Sequence, residues 1–226
     1  MVRRLLIAAS ALLACAAATA VPAQAAPPAG HEQVITVRVS SASATSGVLE
    51  AWKWSPKLRD YRRVLGPVVA YVGADGVGKA SEYSSRTPAG VFGITEAFGR
   101  AANPGTQVPY RQVDSSDWWV SDVGSGKYNT FQHCPLGRSC GFDKGASEQL
   151  GAISLYEYAA VIDYNRSPAV PGKGSAFFLH VTAYEPTQGC VSIEKSALVR
   201  LLTWLKPSRS PVISIGIGNA AYAPLN

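Results

Sequence analysis

Residues 174–192 read GSAFFLHVTAYEPTQGCVS, an apolar run that is followed by a histidine, a turn and a cysteine. The apolar run over residues 176–181 has the composition of a buried strand, so His180 is expected at or near a strand end. Pro186 ends any strand that follows, because proline lacks the N–H group that a sheet ladder needs. A loop is therefore predicted to carry residues 187–190, which end in the cysteine.

The segment after this cysteine has helical periodicity. Its leucines recur at i, i+3, i+4 and i+7, the spacing of one apolar helix face: Leu198, Leu201, Leu202 and Leu205. Ser192 is the predicted N-cap and Pro207 ends the helix. Cys190 would then lie two residues before a helix N-terminus, where the helix dipole is expected to lower the pKa of its thiol.

The order of strand, histidine, turn, cysteine and helix is the order that cysteine acyl transfer needs. His180 is the candidate base and Cys190 the candidate nucleophile. Gly189 allows the backbone to approach a substrate closely, and the N–H groups of Gly189 and Cys190 are candidates for a nest that holds an oxyanion.

The chain begins with the pattern of an export signal. Arg3 and Arg4 form a short basic region, residues 5–21 are apolar, and residues 23–25 read Ala-Gln-Ala, a small-x-small cleavage site. We expect residues 1–25 to be removed on export. The protein would then be secreted or held in the cell envelope, without stable membrane insertion.

Two alternatives to cleavage are open. In an uncleaved anchor the apolar run would span the bilayer, but it is shorter than the ~20 residues that a spanning helix needs. Cys15 lies in a Leu-Leu-Ala-Cys box of the kind used for lipidation. The apolar segment continues past Cys15, which argues against that use.

The charge of the chain is modestly positive. Lysine and arginine number 21 against 15 acidic residues, a formal net charge of +6, and without Arg3 and Arg4 the counts are 19 and 15, a charge of +4. Nucleic-acid binding needs basic residues gathered on one element with aromatics between them, and the chain has no such run. We therefore expect no nucleic-acid partner, whereas anionic cell-envelope polymers fit the charge.

About 200 residues remain after cleavage, enough for one sizeable core. Residues 26–31 form an Ala/Pro/Gly lead that is expected to be disordered. Residues 32–226 are expected to form one domain, and we expect a monomer.

Short apolar segments between turn residues indicate a mainly β fold of the α+β class with one or two helices. Strands are predicted at residues 33–40, 48–54, 68–72, 158–162 and 212–217. Gly66 and Pro67 predict a turn, and residues 148–150 predict a helix start. The last strand is expected to lie beside the strand of His180.

Aromatic side chains are clustered in loop sequence that is otherwise polar. Five residues are candidates for the wall of a substrate groove: Trp118, Trp119, Tyr128, Asn129 and Tyr184. Clustered loop aromatics often line such grooves. The alternative is that the clustered aromatics cap one end of a small core.

Cys134 and Cys140 enclose five residues. In an exported protein this pair indicates a loop-closing disulfide more than a metal site. Cys190 is then left without a partner, and it is either a nucleophile or a buried, inert thiol.

Residues 174–181 together with residues 187–192 resemble the catalytic signature of the L,D-transpeptidase family, the YkuD-type domain of bacterial envelope enzymes. Residues 86–92, RTPAGVF, resemble the Thr-Pro-x-Gly-x-Phe element of that domain. With the predicted helix and last strand, the likeness covers most of residues 33–218.

The resemblance implies a YkuD-like β-sandwich that joins peptidoglycan stem peptides without a metal or organic cofactor. Cys190 would attack a donor tetrapeptide and release D-alanine, and a side-chain amine would resolve the thioester. His180 would activate Cys190 and relay a proton, oriented by a carbonyl near Val181 or by the Tyr184 side chain. The backbone N–H groups of Gln188, Gly189 and Cys190 would hold the oxyanion, in the loop that begins at Thr187.

The chain departs from the family pattern at three points. Gln188 replaces the usual histidine before Gly-Cys, Ser192 stands where arginine or asparagine is common, and the gap from His180 to Cys190 is short. Glutamine can donate a hydrogen bond but does not titrate near neutral pH.

Other functions are compatible with parts of this pattern. A sortase would use His133, Cys190 and Arg200, but the Thr-Leu-x-Thr-Cys run is missing, and papain-like peptidases place the cysteine before the histidine. A non-catalytic module that binds the cell envelope is the alternative from another class. Hydrolysis, in which water resolves the thioester, is a third outcome.

Overall fold

A computed structural model describes residues 29–225. The predicted export signal and the first part of the Ala/Pro/Gly lead lie outside the described residues. No helix in the described range is long and apolar enough to cross a bilayer.

The described chain consists of fifteen strands, one α-helix and four short 3₁₀ helices. The strands are β1 Gln33–Val39, β2 Ser46–Ser55, β3 Asp60–Tyr71, β4 Val77–Gly78, β5 Thr87–Pro88, β6 Gly90–Gly93, β7 Ala97–Gly99, β8 Tyr110–Gln112, β9 Asp117–Trp119, β10 Phe131–His133, β11 Glu148–Gln149, β12 Ala159–Val161, β13 Phe178–Val181, β14 Val191–Ile193 and β15 Val212–Ile217. The helix α1 is Lys195–Trp204, and the 3₁₀ helices are Leu150–Ala152, Ser154–Glu157, Pro207–Arg209 and Gly218–Leu225.

Ten of these strands form one curled sheet, which confirms the mainly β class. Their order is β6-β15-β1-β2-β3-β14-β13-β12-β7-β8. Strands β13 and β14 are neighbours and run parallel, while β13 pairs antiparallel with β12 and β14 pairs antiparallel with β3. The strand that carries the candidate base therefore lies beside the strand that directly follows the candidate nucleophile.

Helix α1 covers one face of this sheet with the leucines that the sequence pattern indicated. Four leucines of this face are completely buried: Leu198, Leu201, Leu202 and Leu205. They pack in one cluster with Leu179 and Ile193 of the paired strands. Burial of this stripe fixes the helix against β13 and β14, directly behind the loop that joins them.

Three details of the expected fold are wrong. The last strand, β15, pairs with β1 and β6 and not with the strand of His180. Its residues from Val212 to Gly216 are buried, which suits a strand with neighbours on both sides. No turn forms at Gly66 and Pro67, because β3 runs through them and bulges there, with both residues opposite Glu50 of β2.

The third error concerns residues 148–150. Glu148 and Gln149 form the short strand β11, which pairs with Trp119 and Trp118 of β9, and 3₁₀ helices follow it. This pairing outweighs the local helical preference of the segment.

The predicted disulfide between Cys134 and Cys140 is present. It closes a loop of the small sheet β10-β9-β11, where the Trp118 indole donates to the Cys134 carbonyl. Among the described residues, Cys190 is the one free cysteine.

We predict that Leu201→Ala lowers the free energy of unfolding by about 2–5 kcal/mol, since it opens a cavity where α1 meets the sheet. Arg200→Ala is the matched control, because Arg200 is exposed on the same helix, and it should change stability by less than about 0.5 kcal/mol. Chemical denaturation of both variants tests this. Equal losses would contradict the assigned buried face.

Candidate active site

The parallel pairing of β13 and β14 decides where the two candidate catalytic residues lie. Leu179 is opposite Val191 and His180 is opposite Ser192. One residue before these pairs, the same register places Cys190 opposite Phe178. His180 and Cys190 are therefore diagonal neighbours on one face, with Cα atoms about 8 Å apart from the strand spacing and rise.

The Cys190 thiol is buried and makes two hydrogen bonds with the backbone. Its S–H donates to the Ala176 carbonyl at 3.3 Å, and the Phe178 N–H donates to Sγ at 3.4 Å. Ala176 has a φ of 56°, a left-handed conformation that is unfavourable for alanine. This backbone conformation lies next to the sulfur, and such local strain often accompanies functional sites.

Two threonine hydroxyls hold the backbone of the cysteine. Thr187 Oγ1 donates to the Cys190 carbonyl at 2.6 Å, and Thr87 Oγ1 donates to the same oxygen at 3.3 Å. Thr87 Oγ1 also accepts from the Gly73 N–H at 2.7 Å. The threonine of the Thr-Pro element therefore links the nucleophile loop to the neighbouring chain, which explains why this distant element belongs to the site.

Gly189 is required by the packing of the loop. Its φ is 127°, and a Cβ there would lie 2.8 Å from the Phe177 ring and 3.3 Å from the Arg86 carbonyl. Its N–H donates to Thr187 Oγ1 at 3.1 Å. This donor is already used, so the expected nest that includes the Gly189 N–H is not free in this arrangement.

His180 is buried and is oriented by the chain itself. Its Nδ1 lies 2.8 Å from the Val181 carbonyl. Because a carbonyl only accepts, Nδ1 carries the proton, and Nε2 keeps a lone pair. Burial lowers the pKa of His180 below its ordinary value, so the ring is a neutral base near pH 7. The orienting group is the Val181 carbonyl and not Tyr184.

The thiol pKa is raised and not lowered, which corrects the sequence-based expectation. Burial, and then the nearby Glu148 carboxylate, raise the pKa of Cys190 well above its ordinary range. The helix does not act on the sulfur because Ser192 lies in β14, and the N-cap is Glu194, whose side chain accepts from the Ala197 N–H. The site thus rests as thiol and neutral imidazole.

Tyr156 and Glu148 complete the surroundings of the sulfur. The Tyr156 ring stands edge-on to the His180 ring, with centroids 5.4 Å apart, and its hydroxyl donates to Glu148 Oε2 at 2.5 Å. Tyr156 lies in the same buried cluster as Cys190, and its hydroxyl acts against the rise in the pKa of the thiol. Burial raises the pKa of Glu148 to about 7, against the opposing hydrogen bond from Tyr156.

These groups line one pocket with a volume of about 620 Å³. Cys190, His180, Glu148 and Tyr156 all contribute to its wall, and the exposed Gln188 lies at its edge. His180 and Cys190 make no direct hydrogen bond within the described chain. The thiol must turn away from the Ala176 carbonyl to meet the imidazole, a change that is common between the free and the substrate-bound states of enzymes.

Four groove candidates lie behind the pocket wall. Trp118, Trp119, Tyr128 and Asn129 are buried, and none of them lines the pocket. The Trp119 indole donates to Asn129 Oδ1 at 2.8 Å, and this oxygen also accepts from the Ala176 N–H at 3.2 Å. Trp119 and Asn129 therefore support the segment around Ala176, which agrees with the alternative that the clustered aromatics cap a core.

Tyr184 is the one groove candidate on the surface, with 68% of it exposed. It lies between Ala183 and Glu185, which line the pocket. The sortase alternative has no support, because His133 pairs with Asp117 beside the disulfide and does not line the pocket.

Sequence reasoning missed Glu148, Tyr156 and the Ala176 carbonyl as parts of the site. Glu148 and Tyr156 are separated by a short strand and 3₁₀ turns that bring them together without a regular repeat. Thr87 was visible in the Thr-Pro element, but its contact with the Cys190 carbonyl was not.

Comparison with known families agrees with this geometry. A family model described as YkuD, the L,D-transpeptidase catalytic domain, matches residues 48–213. No curated protein and no solved structure gives a significant match to the chain.

We predict that iodoacetamide alkylates Cys190 slowly at pH 7 and faster with each rise in pH up to about 9, because the folded thiol has a raised pKa. Mass spectrometry of the alkylated peptide measures the rate, with Cys190→Ser as the blank. The unfolded protein in denaturant is the reference for an ordinary thiol. A rate that reaches a plateau below pH 8 would mean a preformed thiolate and would contradict this site description.

We also predict that Glu148→Gln stabilises the fold at pH 8 by about 1–3 kcal/mol and changes it little at pH 4.5. The pKa of Glu148 is raised from 4.5 to about 7 in the folded protein, so folding favours the protonated side chain. The contribution of Glu148 to the free energy of unfolding is therefore complete below pH 4.5 and is lost as the pH rises through 7. Chemical denaturation at the two pH values tests this. Glu157→Gln is the control, since Glu157 forms a surface ion pair with Lys195; a gain independent of pH would contradict the assignment.

Proposed function

The chain belongs to the YkuD family of L,D-transpeptidase catalytic domains, and we propose that it is a cysteine acyltransferase with Cys190 as nucleophile and His180 as base. One observation carries the proposal. The free thiol and a neutral imidazole, whose Nδ1 is tied to the Val181 carbonyl, line the same pocket. An imidazole fixed in this tautomer offers Nε2 to the thiol proton.

The reaction proceeds in two steps. His180 Nε2 takes the thiol proton while Sγ bonds to the donor carbonyl carbon, and the carbon–nitrogen bond then breaks as the leaving nitrogen takes up one proton and departs as an amine. An acceptor amine attacks the thioester and gives one proton to the site as the new carbon–nitrogen bond forms, and Cys190 leaves and recovers its proton from the His180 imidazolium. Because the resting thiol is neutral, its proton moves only during attack.

The substrate class follows from the family and from the charge of the pocket. Members of the family act on peptidoglycan stem peptides. Among residues 29–225, no lysine or arginine lines the pocket and four carboxylates do: Asp75, Glu82, Glu148 and Glu185. This charge favours an acceptor that arrives as an ammonium group and gives up one proton to become the attacking amine. We place the reaction outside the cytoplasm because of the predicted export signal.

Replacement of the usual histidine by Gln188 leaves the proposed base in place. The Gln188 side chain is exposed at the pocket edge, whereas His180 and its partner carbonyl are buried. We therefore expect the proton chemistry to depend on His180, and the glutamine to affect substrate contact at the edge.

A non-catalytic module of the same fold is the second candidate function. The raised thiol pKa and the missing direct hydrogen bond between His180 and Cys190 favour it. In that function the pocket would bind stem peptides without reaction, and no covalent adduct would form.

We predict that a carbapenem adds one acyl group to the protein at Cys190, detected by intact mass and peptide mapping. Cys190→Ala should show no adduct, and His180→Ala should react about 100-fold more slowly or worse because the base is lost. His133→Ala is the control for loss of a histidine and should react like the wild type, since His133 lies outside the pocket. Absence of an adduct on the reduced wild type would favour the binding module, and an adduct on Cys190→Ala would refute the nucleophile.

A further inference from the structure

A line of polar groups leads away from the sulfur through the buried Tyr156 to the partly buried Glu148. Tyr156 and Cys190 lie in one buried cluster and line the same pocket, and the Tyr156 hydroxyl donates to Glu148 Oε2 at 2.5 Å. Edges of the Tyr156 ring face Phe98, Phe178 and the His180 ring, so the ring is held in place from several sides. The two-step reaction with His180 described above gives this line no role.

Glu148 is an unusual residue for such a place. Its backbone is fixed by pairing with Trp119 in β9. Within residues 29–225 no lysine, arginine or histidine forms an ion pair with it, and Glu82 adds a second negative charge nearby. A carboxylate without a cation is costly to bury, and a neutral side chain of the same size would serve the fold better.

The reacting nitrogen would come close to this line. In the tetrahedral intermediate, the leaving nitrogen is bonded to the carbon that carries Sγ, two bonds from the sulfur. The Tyr156 hydroxyl, which lines the pocket with Cys190 and stands beside the His180 ring, can therefore come within hydrogen-bond reach of that nitrogen. Glu148 itself lines the pocket next to Tyr156 and can exchange a proton with the hydroxyl.

We propose that Glu148, acting through the Tyr156 hydroxyl, is the acid–base couple for the substrate nitrogen, while His180 serves the sulfur. Tyr156 is the catalytic residue of this couple, because its hydroxyl meets the reacting atoms. Glu148 supplies and stores the proton behind it. The inference rests on the proposed function, since it needs Cys190 as the nucleophile.

The protons balance over both steps. During acylation the thiol proton passes to His180 Nε2, and Tyr156 gives its proton to the leaving nitrogen as it takes one from protonated Glu148. The site then holds a thioester, an imidazolium and a Glu148 carboxylate. During transfer the acceptor amine gives a proton through Tyr156 to Glu148, and the imidazolium returns its proton to the departing sulfur.

The pKa values of His180 and Glu148 are shifted in opposite directions, which agrees with these roles. Burial lowers the pKa of His180, which keeps the base neutral, and raises the pKa of Glu148, which keeps the acid protonated up to about pH 7. Environments that move the pKa values of two titratable groups apart are characteristic of acid–base pairs in enzymes. Other titratable groups that face the pocket are Asp75, Glu82, Tyr83 and Glu185.

The test compares two donors that differ only in their leaving group. One is a stem tetrapeptide that releases its terminal residue as an amine, and the other is the corresponding aryl thioester, whose leaving thiolate needs no proton. Acylation of Cys190 in a single turnover is followed by mass spectrometry. Glu148→Gln and Tyr156→Phe should lose about 100-fold or more with the amide donor, while both should stay within about 3-fold of the wild type with the thioester.

Two further variants fix the interpretation. His180→Ala should lose rate with both donors, because the sulfur needs its base in either case. Glu157→Gln, a change at the surface residue next to Tyr156, should leave both rates as they are. In the wild type, the rate of acylation by the amide donor should fall as the pH rises through about 7, where Glu148 loses its proton. The rate of acylation by the thioester donor should not fall over this pH range.

Equal losses with both donors in Glu148→Gln and Tyr156→Phe would assign these residues a structural role and overturn the inference. Unchanged rates with the amide donor would overturn it as well. A wild-type protein that neither donor acylates would overturn the proposed function itself. These results are distinguishable, because only the last one removes the reaction of the wild type.

Discussion

The site depends on one constraint, the parallel pairing of β13 with β14 across the loop that carries Cys190. This register places His180 and Cys190 on one face as diagonal neighbours. Hydroxyl groups of Thr87 and Thr187 hold the cysteine carbonyl, and Gly189 permits the tight packing of the loop against Phe177. A slip of one residue would turn one of the two reactive side chains to the opposite face of the sheet.

The chemistry of the site is set by burial more than by nearby positive charge. Removal of water keeps the thiol and the imidazole neutral and favours protonation of Glu148. A resting site without a thiolate is less reactive toward solvent-borne electrophiles, and its proton transfers are coupled to the attack on the substrate. Glu148, a partly buried carboxylate, lowers the stability of the fold above its raised pKa. This cost is consistent with a functional role, since functional sites are often less stable than they could be.

Most of the fold could be predicted from the sequence because its signals are local. The leucine spacing defined α1, and the apolar run before His180 defined β13. The placement of β15 was not predictable, since nothing local distinguishes one sheet neighbour from another. The thiol pKa was mispredicted because the segment around Ser192 was interpreted as a helix start, whereas pairing with β3 and β13 extends it as a strand. Glu148 was missed for a related reason: its partners are brought near by tertiary contacts alone.

The central claim is that the site rests as a neutral imidazole beside a protonated thiol. Nitrogen-15 NMR of the histidine rings measures this directly, and the His180→Ala variant identifies the signals of His180 among the three histidines of the chain. We predict that at pH 7 His180 shows one protonated nitrogen, Nδ1, and one unprotonated nitrogen, Nε2. Two protonated nitrogens at pH 7, which revert to one in Cys190→Ala, would reveal a thiolate–imidazolium pair and contradict the account.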